Sequence, residues 1–340
     1  SVVARRLSDC RDAMVGVNLS AAWDNLLPDW QARLERLALA SEYAIATLCR
    51  FPAEVLAMMT SGELLRVNPR PWYHDNLPRL LASCNDESAW MQAVRRYRNL
   101  QMLRWVFRDV NGLCSLEELT DELSEFAEAA VDAAIAWSEQ PLKQRHGDPV
   151  GEDTGQVQRM VVLGMGKLGA RELNLSSDID LIFSYAEPGE TTGKFCISNQ
   201  EYFIKLGQSV IRLLDQTTPD GFVFRIDMRL RPWGDGSALA LSFAAMERYY
   251  EQHGREWERY AFIKARTIAG DVAGGEALLH LLRPFVYRRY IDFSAFAALR
   301  EMKGMIEREV RRKDMADNVK LGSGGIRDVE FIAQAFQLIR

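Results

Sequence analysis

Two carboxylates one residue apart, Asp178 and Asp180, open the apolar run 179–183. Side chains alternate faces along a strand, so Ile179, Leu181 and Phe183 share a buried side while Asp178 and Asp180 point together to the other. Like charges so placed repel unless cations come between them. A second stretch, 221–232, also has a period of two: Phe222, Phe224, Ile226, Met228 and Leu230 face the core, and Arg225, Asp227, Arg229 and Arg231 face outward. If the two strands are neighbours, Asp227 is a third carboxylate, flanked by guanidiniums that suit phosphate oxygens. Asp178, Asp180 and Asp227 are therefore the expected metal ligands and catalytic residues, for Mg²⁺ with Mn²⁺ as the alternative, acting on a polyphosphate.

A glycine turn, Gly164-Met-Gly166-Lys167-Leu-Gly169, precedes the aspartates and follows the apolar residues 161–163. It fits the dinucleotide fingerprint literally, and an acid, Glu187, follows at a suitable distance. Three observations oppose that reading. The segment 167–176 is short for a crossover between parallel strands, which takes about a dozen residues or more. The aspartates stand at the start of the second strand, whereas a ribose is gripped at its end. No further strand–helix alternation follows. A Walker loop fails because Lys167 has no Ser or Thr after it. The turn is counted with the aspartates and arginines as part of the metal–polyphosphate site, and Gly164, Gly166 and Lys167 are its expected binding residues. Ser176 and Ser177 either contact phosphate or close the turn, and phosphate contact is the reading taken. Lys264 and Arg266, near a helix C-terminus, serve either substrate phosphate or the helix dipole, and both readings stay open.

The elements that must position these residues follow from periodicity. Residues 1–145 read as helix: Pro52 suits a first turn, and Ser115 with Glu118 matches a capping box. In 87–107, Trp90, Val94, Tyr97, Leu100 and Leu103 recur at helical spacing. Arg95, Arg96, Arg98, Arg104 and Arg108 occupy the remaining faces, read as a solvated surface with local ion pairs in preference to a ridge that docks an acidic partner. The stretch 145–155, rich in glycine and acid, is taken as a boundary.

Beyond it, a helix is expected over 199–214, a turn at 232–237 and a short strand at 239–241. A helix capped by Ser242 runs to about 265, with Phe243, Met246, Tyr250, Trp257 and Ala261 inward. A basic aromatic segment, 283–290, leads to a long helix over 294–313. The glycines of 320–325 then either present N–H groups to an anion or form a tight turn. The last helix reaches Arg340 without a breaker, which suggests a longer protein. The expected fold class is α+β, mostly helical, with a small mixed β-sheet domain. The expected domains are a helical one over 1–147, a catalytic one over 156–266 and a truncated helical one over 270–340.

Composition narrows the function. Of 340 residues, 48% are hydrophobic and 26% charged, ordinary for a globular protein. Lys and Arg number 42 against 47 Asp and Glu, a net charge of −5, which argues against broad nucleic-acid binding. The five cysteines, Cys10, Cys49, Cys84, Cys114 and Cys196, are scattered and never in a C-x-x-C pair. They read as core residues of a reducing compartment. With no apolar run near the ~20 residues of a membrane span and no signal peptide, the expectation is a cytoplasmic protein without membrane contact.

The motifs as a set resemble those of the glutamine synthetase adenylyltransferase/adenylyl-removing enzymes. That family is bifunctional and bacterial, with two nucleotidyltransferase units of the DNA-polymerase-beta type. The resemblance rests on residues 163–169, 173–183, 225–232, 257–260, 264–266, 283–293 and 320–331, and covers most of the chain past Gly155. Residues 174–178 and 227–232 look like the N-terminal half, which removes AMP. The resemblance implies a polymerase-beta-like fold and a phosphorolysis. In it, inorganic phosphate attacks the phosphorus of an adenylylated tyrosine on glutamine synthetase, giving ADP and active enzyme. It implies Mg²⁺ on the three aspartates, Arg229 and Arg231 on the incoming phosphate, an adenine nucleotide near Gly164, Gly166 and Ser177, and a PII-type nitrogen signalling protein as partner. Two rival readings remain: AMP transfer from ATP to a protein tyrosine at the same site, and a nucleotide-sensing module without catalysis.

Overall fold

The computed structural model describes residues 2–287, 303–304, 308 and 325–337. In chain order, the helices before the first strand are α1 (Val2–Gly16), α2 (Ser20–Asp24), α3 (Pro28–Ala40), α4 (Glu42–Arg50), α5 (Pro52–Thr60), α6 (Trp72–Leu81), α7 (Glu87–Val110) and α8 (Leu116–His146). The mixed region follows as β1 (Pro149–Gly151), β2 (Val161–Gly164), α9 (Gly166–Gly169), β3 (Ile179–Tyr185), β4 (Gly189–Thr191), α10 (Asn199–Asp215), β5 (Ile226–Asp227), β6 (Ala240–Ser242), α11 (Phe243–His253), α12 (Glu256–Phe262), β7 (Arg266–Gly270) and α13 (Val272–Val286). A further helix spans Ile326–Gln337. Small mixed sheets among many helices give the α+β architecture expected. The helix expected over 294–313 lies almost wholly outside the described residues, as do 320–324 and 288–290. No described helix is long and apolar enough to cross a membrane.

The chain divides into two compact units, each made of several segments: Ser1–Ala133 with Arg171–Ser177 and Leu213–Arg225, and Ala134–Ala170 with Asp178–Arg212 and Ile226–Arg340. The first unit is helical. Leu34, Leu37, Leu48, Val55, Leu103 and Phe107 anchor one core cluster. Tyr73, Trp105 and Phe126 form a second contact set, with mutual ring centroids 5.5–6.0 Å apart and edge-on geometry. Pro52 sits at the first position of α5, as expected. Ser115 Oγ accepts from the Glu118 backbone N–H at 3.1 Å and starts α8. The reciprocal arm of the capping box is replaced, because the Glu118 carboxylate turns to Arg108.

The arginines of α7 depart from the solvated face expected of them. Arg95 and Arg104 are fully buried and Arg108 nearly so, while Arg96 stays exposed and pairs with Glu54. Arg95 donates to the carbonyls of Met91, Gly221 and Gln216 at 2.6–3.1 Å. Arg104 donates to Glu122 at 2.6 Å and to the carbonyl of Glu63 at 3.1 Å. Arg108 reaches the carbonyls of Leu65 and Leu113. A guanidinium carries five N–H donors in a rigid fork, so it can satisfy carbonyls that irregular segments leave unpaired.

Beside this network His74 lies 3.5 Å from Asp132 and 3.7 Å from Glu125. Asp132 first and Glu125 second raise the imidazole to about 9 from an ordinary 6.5. A raised value means that this stabilisation is full below pH 6.5 and is lost as pH rises through about 9. His74→Ala should therefore lower the urea midpoint at pH 6 and match the parent at pH 10. A difference that persists unchanged across that range would remove the charge from the explanation.

The second unit is built on a mixed sheet. β2 pairs antiparallel with β3 (Val161↔Ser184 to Gly164↔Leu181) and with β7. β3 runs parallel to β5 at one end and to β6 at the other. The antiparallel β2–β3 connection is incompatible with a dinucleotide crossover, which joins parallel strands. Ile179, Leu181 and Phe183 are buried as expected, but Ile182 and Ser184 are buried too, so β3 is covered on both faces past Asp180. Phe183 lies against Gly207 of α10, where a Cβ would come within 2.7 Å of the ring. Ile182 belongs to a cluster with Met246, Tyr250, Phe262, Leu278 and Leu282.

The expected helix over 242–265 is two helices, broken at Gly254 and Arg255, although Ser242 does cap the first of them. Trp257, expected inward, is 38% exposed. The expected strand at 239–241 appears as β6, shifted by one residue. The expected elements include no β1, β4 or β7; β1 lies inside the stretch 145–155 taken as a boundary and pairs with β4.

Candidate active site

The register of β3 and β5 sets Ile179 opposite Ile226 and Asp180 opposite Asp227. In a parallel pair, directly registered residues project to the same face, so two of the three expected carboxylates are cross-strand neighbours. Asp178 immediately precedes β3 and is exposed. The alternation expected for 221–232 holds only in part. Ladder pairing is confined to Ile226–Asp227, Arg225 and Arg229 are exposed, and Arg231 is buried.

Gly166 completes this end of the sheet. Its φ is +53°, and a Cβ there would lie 2.9 Å from Asp180 Oδ2. The glycine thus leaves room for the Asp180 carboxylate, while the Met165 N–H donates to the Asp180 carbonyl at 2.9 Å. Gly164 and Gly169 serve packing: a Cβ would strike Ile268 at 2.6 Å from the first and the Lys264 carbonyl at 1.9 Å from the second. Gly166→Ala is expected to cost about 1–2 kcal/mol from its left-handed backbone and to push Asp180 aside. A denaturant titration checks the first effect; an unchanged midpoint would contradict it.

Asp227 is engaged by Arg229. The backbone N–H of Arg229 donates to Asp227 Oδ1 at 2.9 Å, and its guanidinium spans both carboxylate oxygens. These contacts hold the Asp227 carboxyl below the usual carboxylate range. Among the described residues no three His, Cys, Asp or Glu side chains gather as a ready metal cluster.

The other expected binding residues divide. Lys167 is half-buried on α9. Ser176 and Ser177 belong to the first unit, where Ser177 Oγ donates to Asn174 Oδ1 at 2.6 Å, a turn-closing contact. Lys264 pairs with Glu330 at 2.9 Å. Arg266 donates to the carbonyls of Gly169 and Leu168 at 3.0 and 3.1 Å, finishing α9. Arg266 thus opens β7 and does not lie at the end of the expected helix.

A cavity of about 420 Å³ opens beside Arg229 and Arg231, with Trp233, Tyr249, His253, Arg255, Trp257 and Glu258 in its wall. Sequence reasoning missed it. The available signal was two tryptophans set among arginines, Trp233 in the expected turn and Trp257, which was expected to face inward.

The family profile described as glutamate-ammonia ligase adenylyltransferase matches residues 31–280. The chain belongs to this family. A second profile, for GlnD PII-uridylyltransferase, matches residues 300–340. Several proteins of the glutamate-ammonia ligase adenylyltransferase family are close relatives, all named bifunctional glutamine synthetase adenylyltransferase/adenylyl-removing enzyme. That of Acinetobacter baylyi is 61% identical over 76% of this chain and 28% of its own length. That of Pseudomonas putida is 51% identical over 99% of this chain and 35% of its own. That of Shewanella loihica is 46% identical over 95% and 34% respectively. The chain thus spans about a third of the length of these relatives.

Proposed function

We propose that this chain removes AMP from adenylylated glutamine synthetase by phosphorolysis, releasing ADP and the unmodified tyrosine. The observation that carries the reading is the pairing of Asp180 with Asp227 beside Gly166, within a chain of this family. Asp178, Asp180 and Asp227 offer the hard oxygen donors that Mg²⁺ prefers and are the residues that would hold it. The bound ion supplies charge neutralisation between two anionic reactants. Arg229 and Arg231 hold the incoming phosphate, which is already nucleophilic and needs no general base. Gly166 keeps side-chain atoms away from the nucleotide beside Asp180. The activity belongs to the cytoplasm, and a PII-type protein regulates it.

The decisive assay supplies adenylylated glutamine synthetase and Mg²⁺, with phosphate present and then withheld, and measures ADP. ADP that appears only with phosphate supports the reading. AMP incorporation from ATP into unmodified glutamine synthetase, without phosphate-dependent ADP release, replaces it with the forward transfer.

A further inference from the structure

We propose that Cys10 and Cys49 form an oxidation site, a dithiol that hydrogen peroxide converts to an intramolecular disulfide joining α1 to α4. The two thiols touch, Sγ to Sγ 3.7 Å, although 39 residues separate them in sequence. A disulfide bond is about 2.05 Å long, so closure asks for an approach of about 1.7 Å shared between two side chains.

The seam between the helices brings the thiols together. Arg6 of α1 donates to Glu42, the first residue of α4, at 3.0 Å and to the Ala38 carbonyl at 2.7 Å. Cys10 lies four residues beyond Arg6, and Cys49 lies seven beyond Glu42. Those spacings put each cysteine on the same helix face as the residue that anchors the seam. Met14, Leu37, Ile45 and Leu48, in the same core cluster, pack both helices in place.

Unequal burial assigns the two roles. Cys10 has no exposed surface, whereas Cys49 is half-buried. Peroxide, little larger than water, therefore meets Cys49 first. The Cys49 thiolate attacks one peroxide oxygen: the S–O bond forms, the O–O bond breaks, and the departing hydroxide takes up the proton that Cys49 released. Cys10 then attacks the sulfenic sulfur. The S–S bond forms, the S–O bond breaks, and hydroxide leaves with the Cys10 proton as a second water. Two thiols lose two electrons, and peroxide gains them.

Burial holds both thiols above the usual cysteine value, so thiolate is scarce and the reaction is slow. The neighbouring Cys10 lets Cys49 stop at the disulfide instead of climbing to sulfinic acid. In a reducing compartment such a bond forms under oxidant and is undone by thiol reductants, the behaviour of a sensor and not of a structural staple.

The test exposes the folded 340-residue chain to hydrogen peroxide, then unfolds it, alkylates the remaining thiols and digests it without reductant. Two of the five thiols should be lost. Residues 10 and 49 should come off in one cross-linked peptide, about 2 Da lighter than its two reduced halves, and dithiothreitol should restore both thiols. Cys49→Ser should leave Cys10 open to alkylation after the same treatment, and Cys10→Ser should leave Cys49 as a sulfenic acid that dimedone traps. Cys196 is exposed and sits against the Thr191 carbonyl, so Cys196→Ser should leave the cross-link unchanged. Three results would overturn the assignment: both thiols surviving peroxide, Cys10 or Cys49 joined to any other cysteine instead, or Cys49 driven to sulfinic acid while Cys10 stays reduced. The peptide map of the parent chain decides the matter even where a variant fails to fold. It uses neither adenylylated protein nor turnover, so it can fail while phosphorolysis stands, and the reverse.

Discussion

Asp178→Asn and Asp227→Asn will each release ADP from adenylylated glutamine synthetase about a thousandfold more slowly than the parent, with melting curves little changed. Removing a carboxylate donor forfeits several kcal/mol of charge stabilisation at the reacting phosphorus, and each 1.36 kcal/mol is about tenfold in rate. The fold should tolerate the change. Asp178 is exposed, and the partner of Asp227, Arg229, has a side chain 74% exposed, where water screens the ion pair. Amide for carboxylate also preserves volume. Near-parental turnover in either variant under Mg²⁺ would remove these residues from the chemistry, whereas a collapsed melting transition would mean that they act through the fold.

The largest effect on stability should come from Glu122, far from that site in sequence. Its side chain is 6% exposed and accepts from Arg104 at 2.6 Å, from the Trp105 indole N–H at 2.8 Å and from the Asn68 backbone N–H at 3.0 Å. Glu122→Ala leaves a fully buried guanidinium and two buried N–H groups without that acceptor. Breaking a buried pair from one side costs about 3–5 kcal/mol, since the remaining charge stays uncompensated. Urea unfolding measures the loss. Arg104→Met combined with Glu122→Leu should cost less than the sum of the single changes, because no lone charge remains. Strict additivity would show that the two residues contribute separately.

Much of the site was legible because it is local. The aspartate pair, the glycine turn and the residues of α10 announce themselves within a few positions, through alternation and helical spacing. What escaped is long-range. Arg95 and Arg104 fall off the apolar stripe of α7, so periodicity alone sends them to water. Arg95 is buried by carbonyls 121 and 126 residues further along, and Arg104 by a carbonyl 41 residues earlier. Arg231 obeys the alternation of its stretch yet is buried, since the chain turns at left-handed Trp233 instead of continuing as a strand. β7 is only Arg266–Gly270, too short for a clear pattern, and reads as the tail of a helix that in fact ends at Phe262.

The chain passes between its two compact units after Ala133, Ala170, Ser177, Arg212 and Arg225. Two of those passages immediately precede Asp178 and the strand that bears Asp227. No single cut can excise either unit whole. A piece ending at residue 147 would lose the returning segments Arg171–Ser177 and Leu213–Arg225. It would thereby strip away Gln216 and Gly221, whose carbonyls receive Arg95. Anyone shortening this protein for expression must therefore keep residues from both sides of every crossing, and the lineage that carries it can exchange neither unit by simple recombination at one junction.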